Sequence, residues 1–319
     1  MPRAFSQCAR RCVRTLAGLV LAGASDAAAH GFVGQRFFPA TITTEDPFVA
    51  DELSLPTLTV LPDPDSEDEP LRRETDVAID VDKRITTDLG IGISTTWTHL
   101  EGRGPGSSST SGFGNLEVGA KYVLFSNAPH ELLLSAGLDA EVGGTGKERV
   151  GADPFSTLAP AVLFGKGMGD LPDAVAWLRP FALTGTLGVA FPTDAKTSTG
   201  PGEFERNPHV FETGLALEYS VPYLQASVVD VGLRWPFNRL IPLVELSLET
   251  PLDRGEGGRT TGSVNPGILW VGTYFQVGVE AVVPVNDRTG HSVGAVAQLH
   301  FYLDDIFPRS IGKPLFGGL

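Results

Sequence analysis

Between Leu53 and Leu303 the chain repeats one pattern, a block of alternating apolar and polar residues followed by a turn. Glu131–Val142 carries it most plainly. Leu132, Leu134, Ala136, Leu138, Ala140 and Val142 share one parity, and Glu131, Ser135, Gly137, Asp139 and Glu141 the other. Side chains alternate across a strand with period two, so such a block turns one face to an apolar medium and one to water. Repeated over roughly a dozen blocks, this is the pattern of a transmembrane β-barrel. The competing architecture is a soluble sandwich, whose inner faces must both be apolar.

The periodicity predicts strands over 53–61, 74–83, 88–99, 115–125, 131–142, 155–165, 175–191, 209–221, 240–250, 264–271, 274–284 and 291–303. That is about 12, the even number of an antiparallel up-and-down barrel. The connections between them alternate in length. Stretches 62–73, 100–114, 143–154, 192–208, 251–263 and 285–290 are mostly long and rich in Gly, Pro, Ser and acid, whereas Arg84–Thr87, Ser126–His130 and Gly272–Thr273 are tight. Outer-membrane barrels have long exterior loops and short periplasmic turns, and a sandwich has no reason to alternate so. Pro222–Arg239 breaks the rule, a long stretch where a short turn belongs, with room for a helical piece under the barrel.

Sorting by parity gives a lipid-facing set that includes Val118, Tyr122, Phe211, Leu217, Val244, Val277, Val279, Ala295, Phe301 and Leu303. Trp97, Trp177, Phe191, Tyr219 and Phe301 fall near strand ends, where interfacial aromatics belong. Arg179 shares the parity of Trp177 and must therefore sit near the rim. The opposite, lumen-facing set is acidic: Asp76, Asp80, Glu117, Asp139, Glu141, Glu212, Glu218, Glu245, Glu249 and Glu280, with Lys121 as its clear base. Unpaired carboxylates cannot fill a dry core at tolerable cost, so the inside is either wet or supplied with Arg and Lys from elsewhere.

Residues 1–29 read as a secretory leader: Arg3, Arg10, Arg11 and Arg14, then the apolar run Leu16–Ala22, then Ala27–Ala29 as a cleavage site. Cleavage there would remove Cys8 and Cys12, and with them any disulfide or thiol chemistry. Segment 30–52 lies either in the periplasm or tucked inside the barrel, with Arg36 meeting inward carboxylates and Phe32, Phe37 and Phe38 lining an apolar site. The barrel itself spans 53–303, and 304–319 is a tail. With 24 basic and 38 acidic side chains, nucleic acid is disfavoured as a partner, because phosphate binding wants clustered Lys and Arg.

Other chemistries find little support. Gly143-Gly144-Thr145-Gly146-Lys147 lacks the spacing of a phosphate loop. The six histidines, His30, His99, His130, His209, His291 and His300, show no ligand spacing on one strand face, and Asp304-Asp305 reads as a solvated strand end. No metal and no cofactor are expected. A membrane-embedded hydrolase would need a Ser–His pair across neighbouring strands, and the expectation is that the chain is not an enzyme.

The run Gly114-Asn115-Leu116-Glu117-Val118-Gly119-Ala120-Lys121-Tyr122 resembles the G-D-L-x-x-G-x-K-Y strand of outer-membrane barrels grouped as transporters of the phenol-degradation (MetA-pathway) type. Phe211–Gly214, Pro266–Ile268 and Gln298–Pro308 fit the same resemblance, which covers most of the chain after the leader. It implies an outer-membrane channel or uptake protein for small hydrophobic or aromatic compounds, and brings no catalytic residues. The expectation is a monomeric barrel of about 12 strands in the bacterial outer membrane, wide enough for a lumen, with outer-membrane lipid and a small-molecule substrate as partners. The alternative is a closed structural or receptor barrel whose exterior loops, 62–70 and 102–114, bind a partner.

Overall fold

The computed structural model describes residues 31–62, 72–102, 107–200 and 202–316, without the side chains of Arg72 and Thr199. The leader, most of the acidic 62–70 loop and part of the 102–114 loop lie outside the described residues. The wall strands are β1 (Glu52–Pro62), β2 (Arg72–Arg84), β3 (Leu89–Gly102), β4 (Leu116–Asn127), β5 (Leu132–Val142), β6 (Thr157–Gly167), β7 (Phe181–Pro192), β8 (Val210–Tyr219), β9 (Leu240–Pro251), β10 (Thr261–Val271), β11 (Phe275–Pro284) and β12 (Gly294–Tyr302). Each pairs antiparallel with the next in sequence, and β12 returns to pair with β1. The result is a closed up-and-down barrel of 12 strands, which leaves no open edge.

Two irregularities shape the wall. Ser109–Phe113 pairs with the outer half of β3 and β4 with its inner half, so they are two pieces of one strand bent at Gly114-Asn115. Part of what reads in sequence as the 100–114 loop is thus wall. On β1 the register slips at Leu55-Pro56 against both neighbours. Pro56 has no N–H to give a ladder and is tolerated where the ladder bulges.

The apolar parity faces outward. Ile91, Val118, Tyr122, Leu138, Val162, Leu217, Val244, Val277 and Val279 are exposed on the outer surface, while Ser135, Leu163, Thr184, Glu245, Asn265 and Gln276 are buried inside. In water such a surface would be untenable. In a bilayer it is the required one.

The alternating connection lengths also appear, with 85–88, 128–131 and 272–274 short at one end. Two predictions at this end are corrected. The strand proposed for 175–191 starts at Phe181, because Asp173–Leu178 forms a 3-10 helix between Pro172 and Pro180. Trp177 and Arg179 therefore lie in a connection, where Arg179 donates to Asp173 at 2.7 Å and to the Leu171 carbonyl. Leu303 belongs to a short helix, Leu303–Ile306, rather than to the lipid face. The long 220–239 connection carries a helical turn from Val221 to Val228 capped by Ser220.

Candidate functional site

The interior is built from the wall and from residues 31–51, which precede β1. Phe32–Val33 and Arg36–Phe37 form a small hairpin at the short-turn end. Arg36 is fully buried there. Its Nε donates to Glu131 Oε2 at 3.2 Å, Nη1 to the Pro180 carbonyl at 2.9 Å and Nη2 to the Arg179 carbonyl, and its guanidinium stacks 3.7 Å over the Tyr223 ring. Tyr223 and the Gly169 N–H also donate to Glu131. The partner of Arg36 is thus the inward carboxylate Glu131, in the turn before β5.

From that anchor the segment climbs into the barrel. Gln276 holds the Ala40 carbonyl. The N–H groups of Ile42, Thr43 and Thr44 converge on the fully buried Glu245 at 2.7, 3.0 and 2.7 Å, and Thr43 Oγ1 joins them at 2.8 Å. Successive N–H groups in a bend make an anion-binding nest, and here the anion belongs to the wall. Gly214 and Gly278 let the segment approach, for a Cβ on either would overlap Thr44 or Ile42.

The chain then descends. Thr186 takes the Glu45 carbonyl, Ser135 the Pro47 carbonyl, and Val49 packs over Gly90. It leaves by the end at which it came in. There the buried Asp51 accepts from the Arg84 N–H and Nε at 2.8 and 2.7 Å and from Lys83 at 2.5 Å. Lys83 and Arg84 also reach carbonyls of the tail at Ile311, Gly312 and Lys313.

Two apolar clusters seal the lower interior. Ile241, Leu243, Leu269, Val271 and Tyr302 pack against Phe37 and Ile42, and Val33, Phe38, Leu133 and Ala182 pack against Phe48 and Val123. Phe38 is therefore core, whereas Phe32 is half-exposed and touches Phe37, with ring centroids 5.2 Å apart. The inner face is consequently not acidic throughout. At the short-turn end these apolar clusters sit beside the buried Glu218 and the Arg36–Glu131 and Asp51–Arg84 contacts, and carboxylates gather above.

Between the inserted segment and the wall runs a cavity of about 590 Å³. Asp80, Glu117, Lys121, Asp139, Glu141 and Glu212 line it, and Asp82, Glu45 and Asp46 add to them. Lys121 is tied down by Glu45 at 2.9 Å and by the Asp46 carbonyl at 2.7 Å, so its charge is answered locally. Asp76 accepts from Thr98 at 2.6 Å. Glu249 is exposed beside Glu212 in the ladder. Glu218 and Glu280 are buried deeper and outside the cavity lining. The Glu280 carboxyl lies beside Glu245 and Thr43, and its side chain lies over Gly267.

Two Ser–His pairs do face each other across neighbouring strands: Ser54–His300 at 2.9 Å and Ser111–His99 at 2.7 Å. The first borders the cavity, with Glu52 Oε2 3.6 Å from His300 Nε2. That is too long for the hydrogen bond that orients a general base. Among the described residues no group of three His, Cys, Asp or Glu is placed around a common metal position.

No family model matches the chain, and no curated protein matches it. Among solved structures it is similar to an outer-membrane channel from Pseudomonas putida F1, with a TM-score of 0.55 at 12% identity over 83% of this chain and 98% of that one. The fold is that of an outer-membrane β-barrel. The KdgM porin is matched over 78% of this chain and 98% of its own, at 10% identity and a TM-score of 0.45. The translocator domain of the autotransporter NalP from Neisseria meningitidis is matched over 93% and 96%, at 10% identity and 0.43. At such identities the likeness is one of architecture alone.

Proposed function

We propose that this chain is a monomeric channel of the bacterial outer membrane that passes small neutral or positively charged molecules, aromatic compounds among them, with residues 31–51 acting as a plug. One observation carries the reading: a cavity of about 590 Å³ inside a closed barrel, lined by carboxylates among which Lys121, the one Lys or Arg of the described lining, is already engaged by the plug. Fixed carboxylates along a narrow path favour cations over anions, as acidic rings do in other pores. The resemblance of Gly114–Tyr122 to phenol-degradation transporters supports an aromatic substrate, and the likeness of fold to a Pseudomonas channel supports the outer membrane.

A closed barrel that works through its exterior loops is the second reading. What favours it is the number of inward side chains that hold residues 31–51, on β4, β5, β7, β9, β10 and β11. Purified protein in planar bilayers separates the two. Stepwise conductance with a cation-selective reversal potential supports the channel, and bilayers that stay silent after removal of 31–51 overturn it.

A further inference from the structure

The 220–239 connection places apolar side chains where a periplasmic turn has no structural use for them. Val229, Val231, Leu233, Trp235 and Phe237 alternate with Asp230, Gly232, Arg234 and Pro236. All five apolar residues are exposed, Trp235 at 73% and Phe237 at 60%. The excursion nonetheless has a fixed shape. The Gln225 side chain bonds both the N–H and the carbonyl of Leu233, at 2.8 and 3.3 Å, and the Val229 N–H closes on the Leu224 carbonyl at 2.8 Å. Leu233 faces a cavity under the barrel, which leaves the other four for the outside.

The position of the excursion selects the medium they meet. Phe181 and Tyr219, Trp270 and Phe275, and Phe275 and Phe301 are outward-facing aromatic pairs at the short-turn ends of β7, β8, β10, β11 and β12, with centroids 4.8, 5.6 and 6.5 Å apart. The excursion joins β8 to β9, in the middle of this belt, and the Trp270 indole N–H donates to the Pro236 carbonyl at 3.2 Å. Trp235 and Phe237 flank Pro236 and are thus exposed beside the lipid-facing aromatic belt of the wall. Indole and phenyl rings flanked by Arg and Asp are the composition that rests at the headgroup–acyl boundary.

We propose that residues 228–237 form an interfacial anchor, a rigid loop laid sideways into the periplasmic leaflet next to the barrel wall. The inference rests on the fold and not on the channel reading.

The test uses the full chain with Cys8→Ala and Cys12→Ala, reconstituted in phosphatidylethanolamine–phosphatidylglycerol vesicles and carrying a nitroxide at Val231→Cys or Phe237→Cys. Val279→Cys on the lipid face and Ser108→Cys at the opposite rim serve as references. Relaxation by oxygen exceeding relaxation by a water-soluble nickel complex several-fold, as at position 279, supports the anchor. Nickel accessibility equal to that at position 108 overturns it, because the loop then hangs in water. Protection from both reagents also overturns it, because a second copy or another protein then covers the loop.

Discussion

Glu245 meets the inserted segment as an N-cap meets a helix, one carboxylate collecting three consecutive N–H groups. Hydrogen bonds to a charged group contribute about 1.5–3 kcal/mol each, and a buried donor left unpaired costs about 1–3 kcal/mol. Glu245→Ala is therefore expected to release residues 42–44, read as faster amide exchange there and a larger single-channel conductance. Arg36→Ala strands the buried Glu131. Removing one partner of such a pair costs about 3–5 kcal/mol, so proteolysis of 31–51 in the folded barrel should rise steeply, and Arg36→Ala with Glu131→Gln should recover part of the loss. At the long-loop end, the His209 backbone N–H holds the Asp253 carboxyl below its ordinary value of 3.8. A depressed folded pKa means the contact contributes at neutral and mildly acidic pH and is lost only as pH falls through that lowered value. Asp253→Asn should make the mobility of 251–258, followed by a spin label, insensitive to that acid step.

Among the elements, strands were legible because each carries its own signature: period two, with a turn at either end. Residues 31–51 carry none. They are neither helix nor strand over most of their length, and their bonds go to side chains on strands that come 32 to 236 residues later in the chain, so nothing local announces them. Arg36 and the Phe cluster pointed to an interior place, but the partner of Arg36 and the split of Phe38 into the core and Phe32 toward water needed the tertiary arrangement. The 175–180 stretch misled because its apolar residues mimic alternation while Pro172 and Pro180 set a short helix between strands. The fit of the segment to the wall makes its own prediction. Gly278→Leu adds a side chain where Ile42 now lies and changes no charge. It should expose 38–48 to protease and raise conductance, whereas Gly258→Leu in an exterior loop should do neither.

For the molecule as a whole, the sequence carries the polarity of the two barrel faces but not the division of the inner face along its axis. Parity assigns Ile241 and Leu269 to the same face as Glu245 without saying that Phe37 and Ile42 would cover them. Charge at the outer half should govern selectivity. Replacing Glu117, Asp139 and Glu212 together by Gln, Asn and Gln is expected to move the reversal potential in a salt gradient toward zero while unitary conductance changes less. Deleting 31–51 should enlarge conductance and keep the cation preference, since those three carboxylates remain. Both ends of the inserted segment lie at the same rim, Arg36 against the Arg179 and Pro180 carbonyls and Asp51 against Arg84. It is a cork on a string rather than a thread through a bead: among the described residues it enters and leaves by one rim, so its withdrawal would break its own bonds to the wall and none of the rungs between strands.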